Sequence, residues 1–277
     1  MCEQSREESG RIVKQFFPSW SLDQLIGKVI EMYRFFVEPS QIQDKRIIIT
    51  GSDVNHIKNV LRMKIGEEIA ISNGVDNREY RCGIEEYTEH EVICTLRFVK
   101  EDGVELLSKI YLFQGLPKAD KMEWIIQKAI ELGVYEVIPV AAKRCVVKLD
   151  EKKSAAKVSR WQGIAEAAAK QSKRGVIPAV HGVVSMREAI EYARNMDVKL
   201  IPYELAEDMQ HTKTAIEAIK AGESIAVFIG PEGGFEESEV QAALEAGIEP
   251  ITLGRRILRT ETAGLTVMSW LMYQLES

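Results

Sequence analysis

Phe228-Ile229-Gly230-Pro231-Glu232-Gly233-Gly234-Phe235 and Leu253-Gly254-Arg255-Arg256-Ile257-Leu258-Arg259-Thr260-Glu261-Thr262-Ala263-Gly264 decide the fold of this chain. Each stretch follows a short apolar run, Ser224 to Ile229 and Pro250 to Leu253, of the kind that forms a strand buried on both faces. Each precedes a helical pattern. The spacing predicts two neighbouring parallel strands ending in turns at the same edge of a sheet. Open α/β sheets take up ligands at that edge, beyond the carboxyl ends of their strands.

Working outward, strands and helices alternate from Glu105 onward, which predicts a parallel sheet covered on both faces. Ile110 to Gln114, Val134 to Val140 and Val198 to Ile201 read as strands. Asp120 with Glu123 predicts a capping box for a helix through Leu132, with Met122, Ile125, Ile126 and Ala129 on one face and a stop at Gly133. Further helices are expected over Ser154 to Gln171, Thr212 to Ala221 and Thr262 to Gln274. The last carries Leu265, Met268, Trp270, Leu271 and Met272 around more than one face, which suits a subunit contact or a monomeric core.

Residues 32–103 have a different texture. Short β-branched runs at Arg34 to Val37, Arg46 to Thr50, Glu68 to Ser72, Glu79 to Ile84 and Glu91 to Phe98 are split by turn signals such as Asn73-Gly74. One helical piece, Ser52 to Met63, is expected to start at Ser52 or Asp53. This pattern predicts a small barrel, joined at Glu101-Asp102-Gly103 to a second domain over residues 104–277. Residues 1–31 read as an N-terminal extension with one amphipathic helix from Ser21 to Glu31.

Length and composition, 277 residues with 45% hydrophobic and 28% charged, allow a sizeable core in either one or two domains. No apolar run reaches the length of a membrane span, and the N-terminal stretch lacks the layout of a signal peptide, so a cytoplasmic location is expected. Cys2, Cys82, Cys94 and Cys145 form no CxxC pair, and His56, His90, His181 and His211 are scattered, so no metal site is expected. The net charge of −6 does not advertise nucleic-acid binding, but its distribution is uneven. Residues 143–174 carry ten Lys or Arg against three Asp or Glu, while residues 204–249 carry two against eleven. The basic segment fits either a face for an anion such as RNA or a solvated helix.

Neither glycine turn is a familiar phosphate cradle: GxxxxGK[ST] and GxGxxG are both absent. What remains is a pair of turns whose small residues let a ligand approach exposed backbone groups. The two motifs, with MYRFFV at Met32, HIKNVLRMKIGEEIAISNG at His56, KMEWIIQKAIELGVYEVIPV at Lys121, RCVVKL at Arg144 and AAAKQSKRGVIP at Ala167, resemble the bacterial 16S ribosomal RNA uridine N3-methyltransferases. These belong to the SPOUT class of S-adenosylmethionine enzymes. The resemblance runs from Met32 to Leu275 and leaves residues 1–31 outside it. It implies an α/β, trefoil-knotted parallel-sheet SPOUT methyltransferase domain preceded by a small PUA-like β-barrel. Two positions depart from the family pattern: Lys170 stands where glutamate is common, and Glu236 where a capping serine is common.

The resemblance places S-adenosylmethionine against Ile229, Gly230, Pro231 and Gly233 of one turn, Leu253, Gly254, Ile257, Leu258, Arg259, Thr262 and Ala263 of the next, and Ile201, Tyr203 and Glu204 after an earlier strand. Its implied partners are 16S rRNA within the small ribosomal subunit and a second copy of the chain. Arg34, His56, Lys58, Arg62 and Lys64 in the barrel, and Lys121, Arg144, Lys173 and Arg174 beside the sheet, are the candidate RNA contacts. Uridine N3 carries a proton and is not nucleophilic until that proton leaves. Arg259 is expected to stabilise the resulting anion, with Glu232 as general base or as its orienter. The bland roles are a helix-terminal carboxylate for Glu232 and a structural ion pair with Glu232 or Glu261 for Arg259. A ribose 2′-O-methyltransferase of the same superfamily would carry a Ser-Leu-Asn segment where this chain reads Arg-Thr-Glu-Thr-Ala. A non-catalytic RNA-binding protein would not need intact glycine turns.

Overall fold

The computed structural model describes residues 32–101, 103–203 and 208–276. The helix expected at Ser21 to Glu31 and the candidate Glu204 lie outside the described residues. Two sheets carry the chain. The first comprises β1 (Arg34–Phe36), β2 (Ile42–Gln43), β3 (Arg46–Thr50), β4 (Glu68–Ser72), β5 (Glu79–Tyr87) and β6 (Glu91–Lys100) in the order β1-β4-β5-β6-β3-β2. Only the β1–β4 pair is parallel. Register shifts at Arg81/Cys82 and Ile84/Glu86 break the β5–β6 ladder, and such bulges bend a sheet. The curled sheet closes over Ile47, Ile49, Ile57, Ile69, Ile71 and Val92.

The helical piece after β3 is shorter than its pattern predicts. α1 (Ser52–Asn55) has Gly51 as N-cap, with no capping side chain, and passes into a wider turn over His56–Val60 closed by Leu61 N–H on His56 O. Asp53 is drawn away from a capping role by Lys170, 3.2 Å distant.

The second sheet is wholly parallel. It contains β7 (Lys109–Gly115), β8 (Glu136–Ala141), β9 (Ala179–Val180), β10 (Val184–Ser185), β11 (Val198–Pro202), β12 (Ser224–Ile229) and β13 (Glu249–Ile251). The order is β10-β8-β7-β12-β11-β13, with β9 also on β8. The strands preceding the two glycine stretches, β12 and β13, are therefore not neighbours, because β11 lies between them. Both turns nonetheless face the same edge, since all the strands run the same way. Phe113 and Phe228 pair across β7 and β12 and stack at 4.4 Å between ring centres.

Helices cover both faces. α2 (Lys121–Glu131) buries Met122, Ile125, Ile126, Ala129 and Ile130, a single stripe at helical spacing. Its expected capping box does not form: Asp120 makes no side-chain cap, and Glu123 pairs instead with Arg160. α3 (Glu151–Gln171) starts before its pattern suggested because the Asp150 carboxylate accepts Lys153 N–H. α4 (Met186–Tyr192) is set by a capping box between Ser185 and Glu188. α5 (Met209–Glu217) is capped by Asp208, and α6 (Glu237–Glu245) opens at Glu236, which forms a capping box with Glu239. α7 (Thr260–Leu275) leaves β13 at the sheet edge yet packs on α2 and β12 in the middle of the domain. That return path is the one a trefoil knot requires.

A buried ion pair braces the second unit where the chain enters it from the first. Glu105 takes Arg174 Nε at 3.0 and 3.2 Å and its Nη2, and also accepts the N–H groups of Gly175 and Val176. Arg174 Nη1 donates to Ile130 O at 3.1 Å and Val134 O at 2.6 Å. Arg34 pairs with Glu79 and donates to Ser72 Oγ and to the Arg174 carbonyl. The Asn73-Gly74 turn pairs through Gly74 with Val176, so it docks the barrel on the sheet domain as well as joining strands.

Two measurements follow from this packing. Glu105→Ala leaves Arg174, only 6% exposed, as an uncompensated charge; it is expected to cost about 3–5 kcal/mol in urea unfolding, and Arg174→Lys to retain little of the lost fork geometry. Burial pushes the Cys82 and Cys94 thiols up to about 12, so both are expected to resist iodoacetamide at pH 8 in the folded protein and to label on unfolding, as read by peptide mass spectrometry.

Candidate active site

The carboxyl ends of β7, β12, β11 and β13 define the site, and glycine sets how closely they meet. A Cβ on Gly115, at the end of β7, would lie 2.6 Å from both N and Cδ of Pro231, so only glycine lets the turn after β12 sit there. A Cβ on Gly230 would press on Gly234 Cα at 3.0 Å. Gly254 has φ +97°, a conformation that suits glycine and turns the chain after β13 back across the edge.

Behind the turns runs a buried polar chain. Gln114 Nε2 donates to Gly115 O at 3.0 Å and to Thr260 Oγ1 at 2.9 Å, and Thr260 Oγ1 donates to Gly230 O at 2.6 Å. Three distant segments, β7, the turn after β12 and the start of α7, are thereby tied at one hydroxyl.

The proposed wall residues divide into three groups. Ile229 and Pro231 are buried, Gly230, Tyr203, Leu253, Gly254, Leu258 and Ala263 are half-buried, and Gly233 is exposed beneath Arg144, whose Nη1 donates to Gly233 O at 3.2 Å. Thr262 is exposed on the first turn of α7. Ile201 is fully buried in the sheet behind the turns. Ile257 is 98% exposed, outside the core. Among the described residues no protein group bonds the N–H of Leu253 or those of Arg255 to Leu258. Those backbone donors are available to a ligand.

Charge gathers at the mouth. Glu232 accepts Lys118 N–H at 3.1 Å, and Lys121 Nζ lies 3.1 Å from Glu232 and 3.2 Å from Glu261. Partial burial alone would raise the Glu232 carboxyl. The N–H groups of Glu232 and Lys118 and the Lys121 ammonium outweigh burial and hold it below the ordinary carboxylate range. A carboxylate held so is a weak proton acceptor, which favours orientation over general-base work. Arg259 is exposed at the N-cap of α7 and, among the described residues, pairs with neither Glu232 nor Glu261. Its guanidinium is left for an incoming group.

Among the candidate RNA contacts, Arg62, Lys64, Arg144, Lys173 and His56 are exposed, and His56 meets the edge of Phe35. Lys58 donates to Thr88 O at 2.9 Å and lies over Tyr87. Three candidates are corrected by their partners. Arg34 and Arg174 are consumed in buried pairs with Glu79 and Glu105, and Lys121 is bracketed by two carboxylates. The site also uses residues that the pattern did not single out: Gln114, Gly115, Lys118 and Thr260. Gly115 closing an apolar strand carried a readable signal of close backbone approach. The Gln114–Thr260 contact joins residues too far apart in sequence to leave one.

Comparison with known proteins fits this geometry. Residues 105–272 match the RNA methyltransferase domain family and residues 49–97 the RNA methyltransferase PUA domain family, so the fold and site are those of an RNA methyltransferase. Ribosomal RNA small subunit methyltransferase E of Bacillus subtilis is 39% identical over 88% of this chain and 98% of its own length. That of Mesomycoplasma hyopneumoniae is 34% identical over 86% and 98%. A crystal structure of the Neisseria gonorrhoeae enzyme bound to S-adenosyl methionine superposes with a TM-score of 0.76 at 31% identity, over 87% of this chain and 97% of the other. The chain belongs to the ribosomal RNA small subunit methyltransferase E family, with the SPOUT fold.

Thr260→Val removes the shared hydroxyl and leaves Gly230 O and Gln114 Nε2 without it. The expected cost is about 1–3 kcal/mol in unfolding free energy, with Thr260→Ser close to the parent, read by chemical denaturation.

Proposed function

We propose that this protein uses S-adenosylmethionine to methylate N3 of a uridine in 16S ribosomal RNA. Family membership supports the reaction class, and the observation that carries the reading to this site is the bond from Thr260 of the second glycine stretch to Gly230 of the first, next in sequence to an unpaired Arg259. The residues present fit the cofactor. Gly230 and Gly254 let the two turns adopt their paths, and the N–H groups of Leu253, Ile257 and Leu258 are unclaimed by protein among the described residues. Ile229, Gly230, Pro231, Leu253, Gly254 and Leu258 would hold it, with Tyr203 as a third wall. Bound there, the cofactor supplies a sulfonium methyl already activated for transfer.

What the chain itself supplies is placement and charge. Loss of the N3 proton leaves negative charge on N3 and the flanking carbonyl oxygens of the uracil ring, and Arg259 is positioned to hold that charge. Glu232 orients groups at the mouth while Lys118 and Lys121 fix it. Because N3 lies on the pairing edge, the target base is unpaired or extruded when it enters. Arg62, Lys64, Arg144 and Lys173, all exposed, offer positive charge to its phosphates. We also propose action on the assembled small subunit by a homodimer in the cytoplasm. The exposed Ile257 and Tyr273 and the half-buried Leu265, Trp270 and Met272 on α7 favour a covered face. No helix among the described residues is long and apolar enough to cross a membrane.

Unmodified small subunits incubated with labelled cofactor are expected to yield N3-methyluridine by nucleoside mass spectrometry; label on ribose hydroxyls would overturn the reading. Arg259→Ala is expected to lower turnover by about 100-fold while cofactor affinity, measured by calorimetry, stays near the parent. Turnover under limiting RNA should fall steeply as salt rises, and a flat response would remove the basic residues from the substrate path.

A further inference from the structure

Lys121 opens α2, Glu232 lies in the turn after β12, and Glu261 lies in the first turn of α7. The Lys121 ammonium is shared between the two carboxylates at 3.1 and 3.2 Å. All three side chains are partly withdrawn from water, at 30%, 28% and 17% exposure respectively. One cation between two anions leaves the cluster net negative. A backbone phosphate approaching Lys121 would meet that net charge and would have to displace a carboxylate before pairing. The surroundings therefore do not suit the RNA contact that the residue type suggested. They suit a clasp that ties the glycine turn to the start of the last helix, whose N-cap is Arg259.

We propose that Lys121 is a positioning residue for the methyl-transfer reaction, holding the Glu232 carboxylate of the glycine turn against Glu261 at the start of the last helix. This role rests on the reading of Glu232 as a group that orients the reacting base or takes its proton. The groups facing Glu232 are its own N–H, the Lys118 N–H from the loop before α2, the Lys121 ammonium from α2, the buried Cys145 thiol from the segment after β8 and, across the ammonium, Glu261 from α7. The clasp gives opposite signs to two substitutions. Lys121→Met removes the cation, so the Glu232 carboxyl rises and the acid limb of activity moves to higher pH. Glu261→Gln removes a like charge and leaves the ammonium to Glu232 alone, so the limb moves to lower pH. A loss of packing alone would not produce shifts in opposite directions.

The test uses the full-length protein with small-subunit particles and S-adenosylmethionine. kcat and the KM for RNA are measured against pH for the parent, Lys121→Met, Lys121→Arg and Glu261→Gln, with thermal unfolding to confirm folding. The Glu232 carboxyl carbon is followed by NMR in protein labelled at glutamate and assigned with Glu232→Gln. Lys121→Met is expected to lower kcat about tenfold with the RNA KM within twofold, and Lys121→Arg to recover most of it. A raised RNA KM with unchanged kcat and an unmoved acid limb would make Lys121 a phosphate contact and overturn the proposal. A Glu232 carbon indifferent to Lys121→Met would overturn the clasp alone. A carbon that shifts as expected while activity keeps its pH profile would overturn the participation of Glu232, and the positioning role with it.

Discussion

The hydroxyl of Thr260 reaches the carbonyl of Gly230 from a chain segment that has left the far edge of the sheet and come back to its middle. Everything at the site depends on that return. Gln114, fully buried at the end of β7, donates to the same hydroxyl and to its neighbour Gly115, whose missing side chain admits Pro231. Strand order brings the turns to one edge, and the hydroxyl sets their spacing. Since the donors and acceptors are withdrawn from water, losing one partner exposes the others to a full desolvation cost. This is a compact way to hold backbone groups still at the sheet edge.

Sequence reading was reliable where a signal is local. The apolar run Ser224 to Ile229 is a strand buried on both faces, and the Met122, Ile125, Ile126, Ala129 stripe is the buried face of α2. Glycine at the head of each turn marked the site's edge. Errors arose where a local signal was outbid by a distant partner. Asp120 and Glu123 carry the letters of a capping box, but Arg160 takes Glu123. Asp53 would serve a helix start, but Lys170 takes it. The helix α4 announces itself through Ser185 and Glu188, a local pair that could have been read.

The basic residues show the same division more sharply. Composition can count arginines but not their partners. Arg34 and Arg174 look like any surface cation in the sequence, and both are spent on a buried carboxylate within their own unit, Glu79 and Glu105 respectively. Lys121 stands among acids that lie far away in the chain. Of the proposed RNA contacts, His56, Lys58, Arg62, Lys64, Arg144 and Lys173 remain, spread over both units. The Gly74–Val176 bridge, the Arg34 bond to the Arg174 carbonyl and the Asp53–Lys170 pair fasten those units to each other.

The position of α7 in the chain carries a consequence for synthesis. A ribosome makes β7, the glycine turn and β13 before it makes Thr260, so the emerging polypeptide has every strand of its sheet while its pocket is still unpinned. Competence to act on RNA is thus deferred until the final helix has been made and drawn into place, a built-in delay between being translated and being able to modify the translation machinery.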